Sequence, residues 1–307
     1  MGIVVVGTTF VDVKGYPLGK YVPAGRNAGR VIEVHGGVAR NIAEDIANVG
    51  LAPTLVSMVD ESGLSDDLVK RLAQRGCNTS CIGRAESGLG MWLAIFDETG
   101  DVVGSISRRP DTSGIERILI ERGDEIVSQA DSVCIDLDID VPILERVFDL
   151  AQRYGKEVYS PVTNIEIACE RLGMLKKVSC LVCNQQESAV LFSPELGEAS
   201  PEEMQAALPE RLAQVGLRSI VVTMGAQGSV FAKMGGQSGW CPAHVVEVVD
   251  TTGAGDAFFS GVVIGLTNGR SLEESCSIGA KLAASAIASE ENVCGRFSLE
   301  EIGLTVR

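Results

Sequence analysis

The chain has 307 residues, of which 45% are hydrophobic and 22% charged. That is the balance of an ordinary folded protein, with enough chain for one large α/β domain or two smaller ones. Asp and Glu number 41 against 26 Lys and Arg, a formal net charge of −15, which repels phosphate backbones and anionic lipid. With aromatics at only 5%, neither nucleic acid nor a membrane surface is expected as a partner, whereas a small anionic ligand held by local positive groups is not excluded.

The opening MGIVVVGTTFVDVKGYP lacks the basic stretch and small-residue cleavage site of a signal peptide. No run approaches the roughly 18 to 20 apolar residues of a membrane span, so the expectation is a cytoplasmic protein. Nine cysteines are spread without framework spacing, and Cys180-Leu-Val-Cys183 is a lone CxxC inside an apolar run. With His35 and His244 the only histidines, buried thiols are expected rather than zinc or a redox pair.

In chain order, Ile3–Val6 reads as a strand ending at Gly7. Val38–Val49 reads as a helix with Gly50 at its end, Thr54–Met58 as a strand, and Ser65–Arg75 as a helix ended by Gly76. Strands follow at Ser132–Ile135, Val158–Tyr159, Cys180–Cys183 and Arg218–Val222, with a helix over Val141–Tyr154. Near-continuous apolar strands alternating with helices predict an α/β fold, a doubly wound, mostly parallel sheet with helices on both faces. The segment 12–35 has no helical period. MWLAIF and VVGSIS, in 91–107, flank the turn Asp97-Glu98-Thr99-Gly100-Asp101. These two segments are expected to form a small β lid inserted in a single domain spanning 1–307.

The chemistry concentrates in Val249-Asp250-Thr251-Thr252-Gly253-Ala254-Gly255-Asp256-Ala257-Phe258-Phe259-Ser260-Gly261. A strand end runs through a glycine-bracketed turn into a helix lasting to about Asn268. The N–H groups of Gly253, Ala254, Gly255 and Asp256 have no partner within that helix and, with its dipole, form an anion site. Asp256 stands at the mouth of this site, where a carboxylate can take a proton from an attacking hydroxyl, and the helix N-terminus is expected to keep it ionised. The bland alternative is a plain N-capped helix. No G-x-G-x-x-G follows the first strand and no G-x-x-x-x-G-K-[ST] occurs, so the site is neither of the dinucleotide type nor a P-loop.

The stretch D-T-T-G-A-G-D-A-F-F-S-G resembles the C-terminal signature of the ribokinase-like (PfkB) carbohydrate and nucleoside kinases. Further motifs follow in the family order: Gly7-Thr8-Thr9-Phe10-Val11-Asp12, Gly36-Gly37-Val38-Ala39-Arg40-Asn41, Asn184-Gln185-Gln186-Glu187 and Thr223-Met224-Gly225-Ala226-Gln227-Gly228. The resemblance implies an ATP-dependent kinase in which Asp256 is the base and the turn at 253–256 holds the transferring phosphoryl. It places Asp12, Gly36, Gly37 and Asn41 at the acceptor, and Asn184, Thr223, Gly225 and Gly228 at ATP. It also implies Mg²⁺ reached mostly through water by Asn184 and Glu187, a K⁺-type monovalent cation beside Asp250 and the carbonyl of Thr252, and a homodimer through the lid. Physically, a carboxylate beyond a parallel strand can accept two hydroxyls, and Mg²⁺ suits oxygen donors acting through water. Asn184 and Glu187 also fit a capping box.

G-G-V-A-R-N-I-A and V-D-V-K-G-Y-P are most similar to the pseudouridine kinase branch, which points to a nucleoside acceptor. Two departures are Ser107-Arg108-Arg109-Pro110, where that branch tends to carry an Asn-Asp pair, and Ser160-Pro161, where many relatives have Asp-Pro. Arg26, Arg30, Arg40, Arg108 and Arg109 lie in or beside the lid. They either meet an anionic acceptor, such as a phosphosugar or acidic sugar, or pair with lid carboxylates or lie in solvent. The competing functions are a ribokinase or other sugar kinase, a non-catalytic sugar or nucleoside sensor, and an oxidoreductase, the last disfavoured by the missing dinucleotide fingerprint.

Overall fold

Alternation along the first strand decides the layering: Ile3 and Val5 face one apolar layer and Val4 and Val6 the other, as expected for a strand covered on both sides. The computed structural model describes residues 2–304. Its first third runs β1 (Ile3–Val6), β2 (Phe10–Pro17), β3 (Gly29–Gly36), α1 (Val38–Asn48), β4 (Thr54–Val59), α2 (Gly63–Arg75) and β5 (Ile82–Arg84). The hairpin β6 (Gly90–Phe96) and β7 (Val102–Arg108) follows. Next come α3 (Ser113–Ser128), β8 (Ser132–Ile135), α4 (Val141–Tyr154), β9 (Glu157–Pro161), α5 (Ile165–Glu170) and α6 (Leu172–Leu175). The last third holds β10 (Cys180–Asn184), α7 (Gln185–Leu191), α8 (Pro201–Val215), β11 (Ser219–Thr223), β12 (Ser229–Lys233), β13 (Gln237–Cys241), α9 (Ala254–Thr267) and α10 (Leu272–Ile287).

Nine strands form one sheet in the order β13-β12-β11-β10-β9-β8-β1-β4-β5. It is parallel throughout except for the antiparallel β11–β12–β13 edge. Helices α3, α4 and α8 cover one face with Leu119, Leu144, Val147 and Leu208. Helices α1, α2, α9 and α10 cover the other with Ile42, Leu68, Val263 and Leu282. The α9–α10 pair approaches closely at Gly261 and Gly279, where a Cβ on either would collide with the opposite backbone. The two cysteines of the CxxC belong to opposite layers, Cys180 to one and Cys183 to the other. An odd spacing on a strand gives that result, so the pair cannot bridge. All nine cysteines are free.

The segments expected to form a lid supply a second sheet, ordered β3-β2-β6-β7. Its register gives it two unlike faces. Asp12 lies opposite Trp92 and Val34, and Lys14 opposite Ala94 and Ile32; these positions and Tyr16 share one face. Val13, Leu93 and Ile106 are aligned on the other, beside Val31 and Ile95. No helix among the described residues is long and apolar enough to cross a membrane.

Candidate active site

Parallel strands point their carboxyl ends to one edge, and ligands of open α/β sheets bind there. At this edge β1 ends against Gly7, β8 against Asp136, β10 at Asn184 and β11 at Thr223. Gly7 is required here, because a Cβ would strike those of Asp136 and Ala39.

The turn before α9 is built on Asp250. Its Oδ1 accepts from the Thr252 N–H (2.8 Å) and from Thr252 Oγ1 (2.7 Å). The chain then passes through Gly253 in the left-handed region (φ 79°), and no side chain caps the helix. The N–H groups of Gly255 and Asp256 therefore have no acceptor among the described residues, leaving a helix N-terminus open to an anion. Asn292 packs its backbone against Gly253 so closely that a Cβ there would overlap the Asn292 carbonyl. The Asn292 side chain is buried, and both of its amide atoms lack a partner among the described residues.

Asp256 accepts a hydrogen bond from Asn41 Nδ2 at 2.7 Å, which joins α9 to α1 across the site. Its carboxyl is pushed up to about 7, chiefly by burial, and the neighbouring Asp136 and Asp12 charges push the same way. The Asn41 bond and Arg40 oppose the shift. The expectation that the helix N-terminus keeps Asp256 ionised is thus corrected: burial and two further carboxylates raise its pKa to about 7. Asn41 Oδ1 is buried without a partner among the described residues. The Asp12 carboxylate fills the space a Cβ on Gly36 would need, and its pKa is raised by burial against the pull of Lys14 and Arg40. Asp12, Gly36, Gly37, Asn41 and Asp256 thus lie together.

A cleft of about 450 Å³ opens beside the turn, lined by Thr223, Gly225, Gly228, Thr251, Ala254 and Gly255 with apolar walls including Phe258. The expected ATP residues 223, 225 and 228 and the phosphate turn therefore share one cavity. Asn184 and Glu187 form a reciprocal capping box at the start of α7: Glu187 N–H donates to Asn184 Oδ1 (2.8 Å) and Asn184 N–H to Glu187 Oε2 (2.7 Å). Burial raises the Glu187 carboxyl's pKa, and a carboxylate beside an amide oxygen fits a hydrated Mg²⁺. Among the described residues no three His, Cys, Asp or Glu side chains cluster to hold a metal.

The expected monovalent-cation site fits less well. Asp250 Oδ2, the oxygen not used by Thr252, faces Lys14 Nζ at 3.7 Å, so a further cation at that oxygen would meet an ammonium. The arginines near the second sheet do not converge on one spot either. Arg40 is buried and donates to Glu44 (3.0 Å) and to the His35 carbonyl. Arg30 lies over the Tyr16 ring, Arg108 donates to the Leu89 carbonyl, and Arg109 donates to the Asp138 carbonyl. Of these arginines Arg40 pairs closely with a carboxylate, that of Glu44, and Arg108 lies 3.8 Å from Asp60.

Sequence reasoning missed Asp136, Lys14 and Asn292. Asp136 accepts from Thr8 Oγ1 and Thr163 Oγ1, both at 3.2 Å, and burial raises its pKa. An Asp directly after the central strand Ser132–Ile135 was its available signal. Lys14 carries none, because its partner is remote in sequence.

A nine-stranded, mostly parallel sheet with helices on both faces and a small second sheet is the ribokinase-like α/β fold. A ribokinase from Arabidopsis thaliana, solved with ribose and ATP, matches it with a TM-score of 0.81 at 19% identity, covering 98% of this chain and 97% of that one. The chain belongs to the pfkB family of carbohydrate kinases, whose profile it matches over residues 2–293. It is 32% identical over 292 residues to a guanosine-inosine kinase of Exiguobacterium acetylicum, covering 94% of this chain and 95% of that protein. It is 26% identical over 289 residues to a pseudouridine kinase of Escherichia coli (strain K12), covering 94% and 91%. The protein is an ATP-dependent carbohydrate or nucleoside kinase.

Proposed function

We propose that the protein phosphorylates a hydroxyl of a nucleoside, with Asp256 as the base. The hydrogen bond from Asn41 to Asp256 at the open N-terminus of α9 carries this reading, since it sets a proton acceptor beside an anion seat. The acceptor oxygen attacks the γ-phosphorus of ATP and its proton passes to Asp256. The bond from the γ-phosphorus to the oxygen it shares with the β-phosphorus breaks, and ADP leaves. The open N–H groups of Gly255 and Asp256 bind the phosphoryl oxygens as the loose transition state develops. Asp12 and Asn41 orient the acceptor, with Gly36 and Gly37 admitting it closely, while Thr223, Gly225 and Gly228 wall the nucleotide. Asn184 and Glu187 would hold Mg²⁺ through water, and that ion would neutralise phosphate charge. A carboxyl near 7 takes and returns a proton readily at neutral pH.

A nucleoside rather than a bare sugar is favoured by the acceptor-facing side of the second sheet. Tyr16 stacks on Phe96 there, with ring centroids 4.6 Å apart, and Trp92 lies opposite Asp12. Aromatic faces suit a nucleobase. The similarity to a guanosine-inosine kinase and a pseudouridine kinase supports the same class. The test is ADP release with Mg-ATP across guanosine, inosine, pseudouridine, uridine, ribose and fructose. Turnover with a nucleoside well above that with ribose is expected; preference for ribose or fructose would replace the acceptor with a sugar. The opposite face of the second sheet exposes Val31, Leu93, Ile95 and Ile106, an apolar row that fits a second copy of this chain.

A further inference from the structure

Asp250 sets a charge problem within the phosphate site. Its carboxylate is needed to shape the turn, because Oδ1 holds both the N–H and the hydroxyl of Thr252. Yet it stands three residues before Gly253, beside the seat for a phosphoryl group, where an uncompensated negative charge opposes the anion. The turn therefore needs a positive charge at the other oxygen. That oxygen faces the ammonium of Lys14 at 3.7 Å.

Lys14 is suited to the task by its place in the fold. It is 3% exposed, and its strand position is fixed on both sides by pairing with Ile32 and Ala94. The separation from Asp250 exceeds a direct hydrogen bond, so the ammonium keeps donors for phosphate or water. It also lies near enough to Asp12 to stabilise that carboxylate. Arg40, the other buried cation of this region, is held by Glu44 and the His35 carbonyl. The amide of Asn292 offers a dipole beside the turn but no charge.

Building on the kinase reading, we propose that the Lys14 ammonium supplies the positive charge beside Asp250 that a bound monovalent cation would otherwise provide, so that turnover is independent of K⁺. The test uses the full chain with its best nucleoside acceptor, replacing tetramethylammonium stepwise by K⁺ at constant ionic strength. The wild-type rate is expected to stay flat. Lys14→Met should lose about 10²-fold in kcat without K⁺, the scale of removing one donor from a developing oxyanion, and regain activity with K⁺ or methylammonium. Thermal melting gives a readout independent of turnover: K⁺ should raise the Tm of Lys14→Met and leave the wild type unchanged.

Wild-type turnover that requires K⁺ would overturn the proposal. So would full K⁺-free activity in Lys14→Met, or a folded, ATP-binding Lys14→Met whose lost rate neither ion restores. If no salt condition gives ADP release, the kinase reading fails separately, and the melting comparison still decides the role of Lys14.

Discussion

Asp256 is placed where its chemistry and its environment pull in opposite directions. As the proposed general base it must be ionised, yet burial and the charges on Asp136 and Asp12 hold its carboxyl at about 7. Raised above the usual carboxylate value, it is protonated below that pH, so kcat/KM for the acceptor should climb with pH through about 7 and level off above it. The bond from Asn41 favours the ionised form, so Asn41→Ala should move this limb to higher pH while the protein stays folded. A limb that stays in place in Asn41→Ala would mean that another group sets it. The same raised value makes the ionised carboxyl a cost to the fold, present above about 7 and relieved as the pH falls toward the ordinary carboxylate range. The motif made Asp256 legible, but its pKa depends on residues from three other segments that meet only after folding.

At the scale of elements, the turn and helix at 250–267 join a local signal to a long-range constraint. Asp250 and the glycines specify the turn from nearby sequence, whereas Gly253 is obligatory for two reasons. Its φ of 79° disfavours any side chain, and the Asn292 backbone leaves no room for one. Gly253→Ala should cost about 1–3 kcal/mol in stability and weaken ATP binding, read together by thermal melting and nucleotide titration. A normal Tm with intact ATP affinity would show that the turn is less constrained than its geometry indicates. Where apolar period and caps agree, the elements were legible: β8 and α4 fall at Ser132–Ile135 and Val141–Tyr154 as expected, and α1 ends one residue before the expected boundary. Strand–helix alternation alone does not pick up α8 and α10, although each opens on a Ser-x-x-Glu capping box at Ser200/Glu203 and Ser271/Glu274. The β12–β13 hairpin is similarly hidden, its turn resting on Gly235 and Gly236 at positive φ.

For the whole molecule, the second sheet is the element that gives the family scaffold its particular character. One face carries Asp12, Lys14, Tyr16 and Trp92, while the other carries an exposed apolar row. A sheet that buried only its acceptor-facing side would present polar residues on the reverse, and the apolar reverse is the basis for the proposed dimer. Sedimentation should show a dimer that Ile106→Lys converts to monomer; a monomeric wild type would remove that assembly. Of the segments of this sheet, 91–107 was legible as β-rich and 12–35 as lacking a helical period, but their pairing was not legible. Register fixes which residues share a face, and it follows from contacts between strands far apart in the chain.

The central claim is that Asp256, held by Asn41 at the open end of α9, drives phosphoryl transfer from ATP to an acceptor hydroxyl. The most direct test is ADP release by the wild type and Asp256→Asn, measured side by side with guanosine, inosine and pseudouridine at saturating Mg-ATP. The account predicts nucleoside-dependent turnover in the wild type and a loss of about 10²- to 10⁴-fold in kcat in the variant, with ATP binding retained. Turnover that survives in Asp256→Asn at the wild-type rate would contradict it.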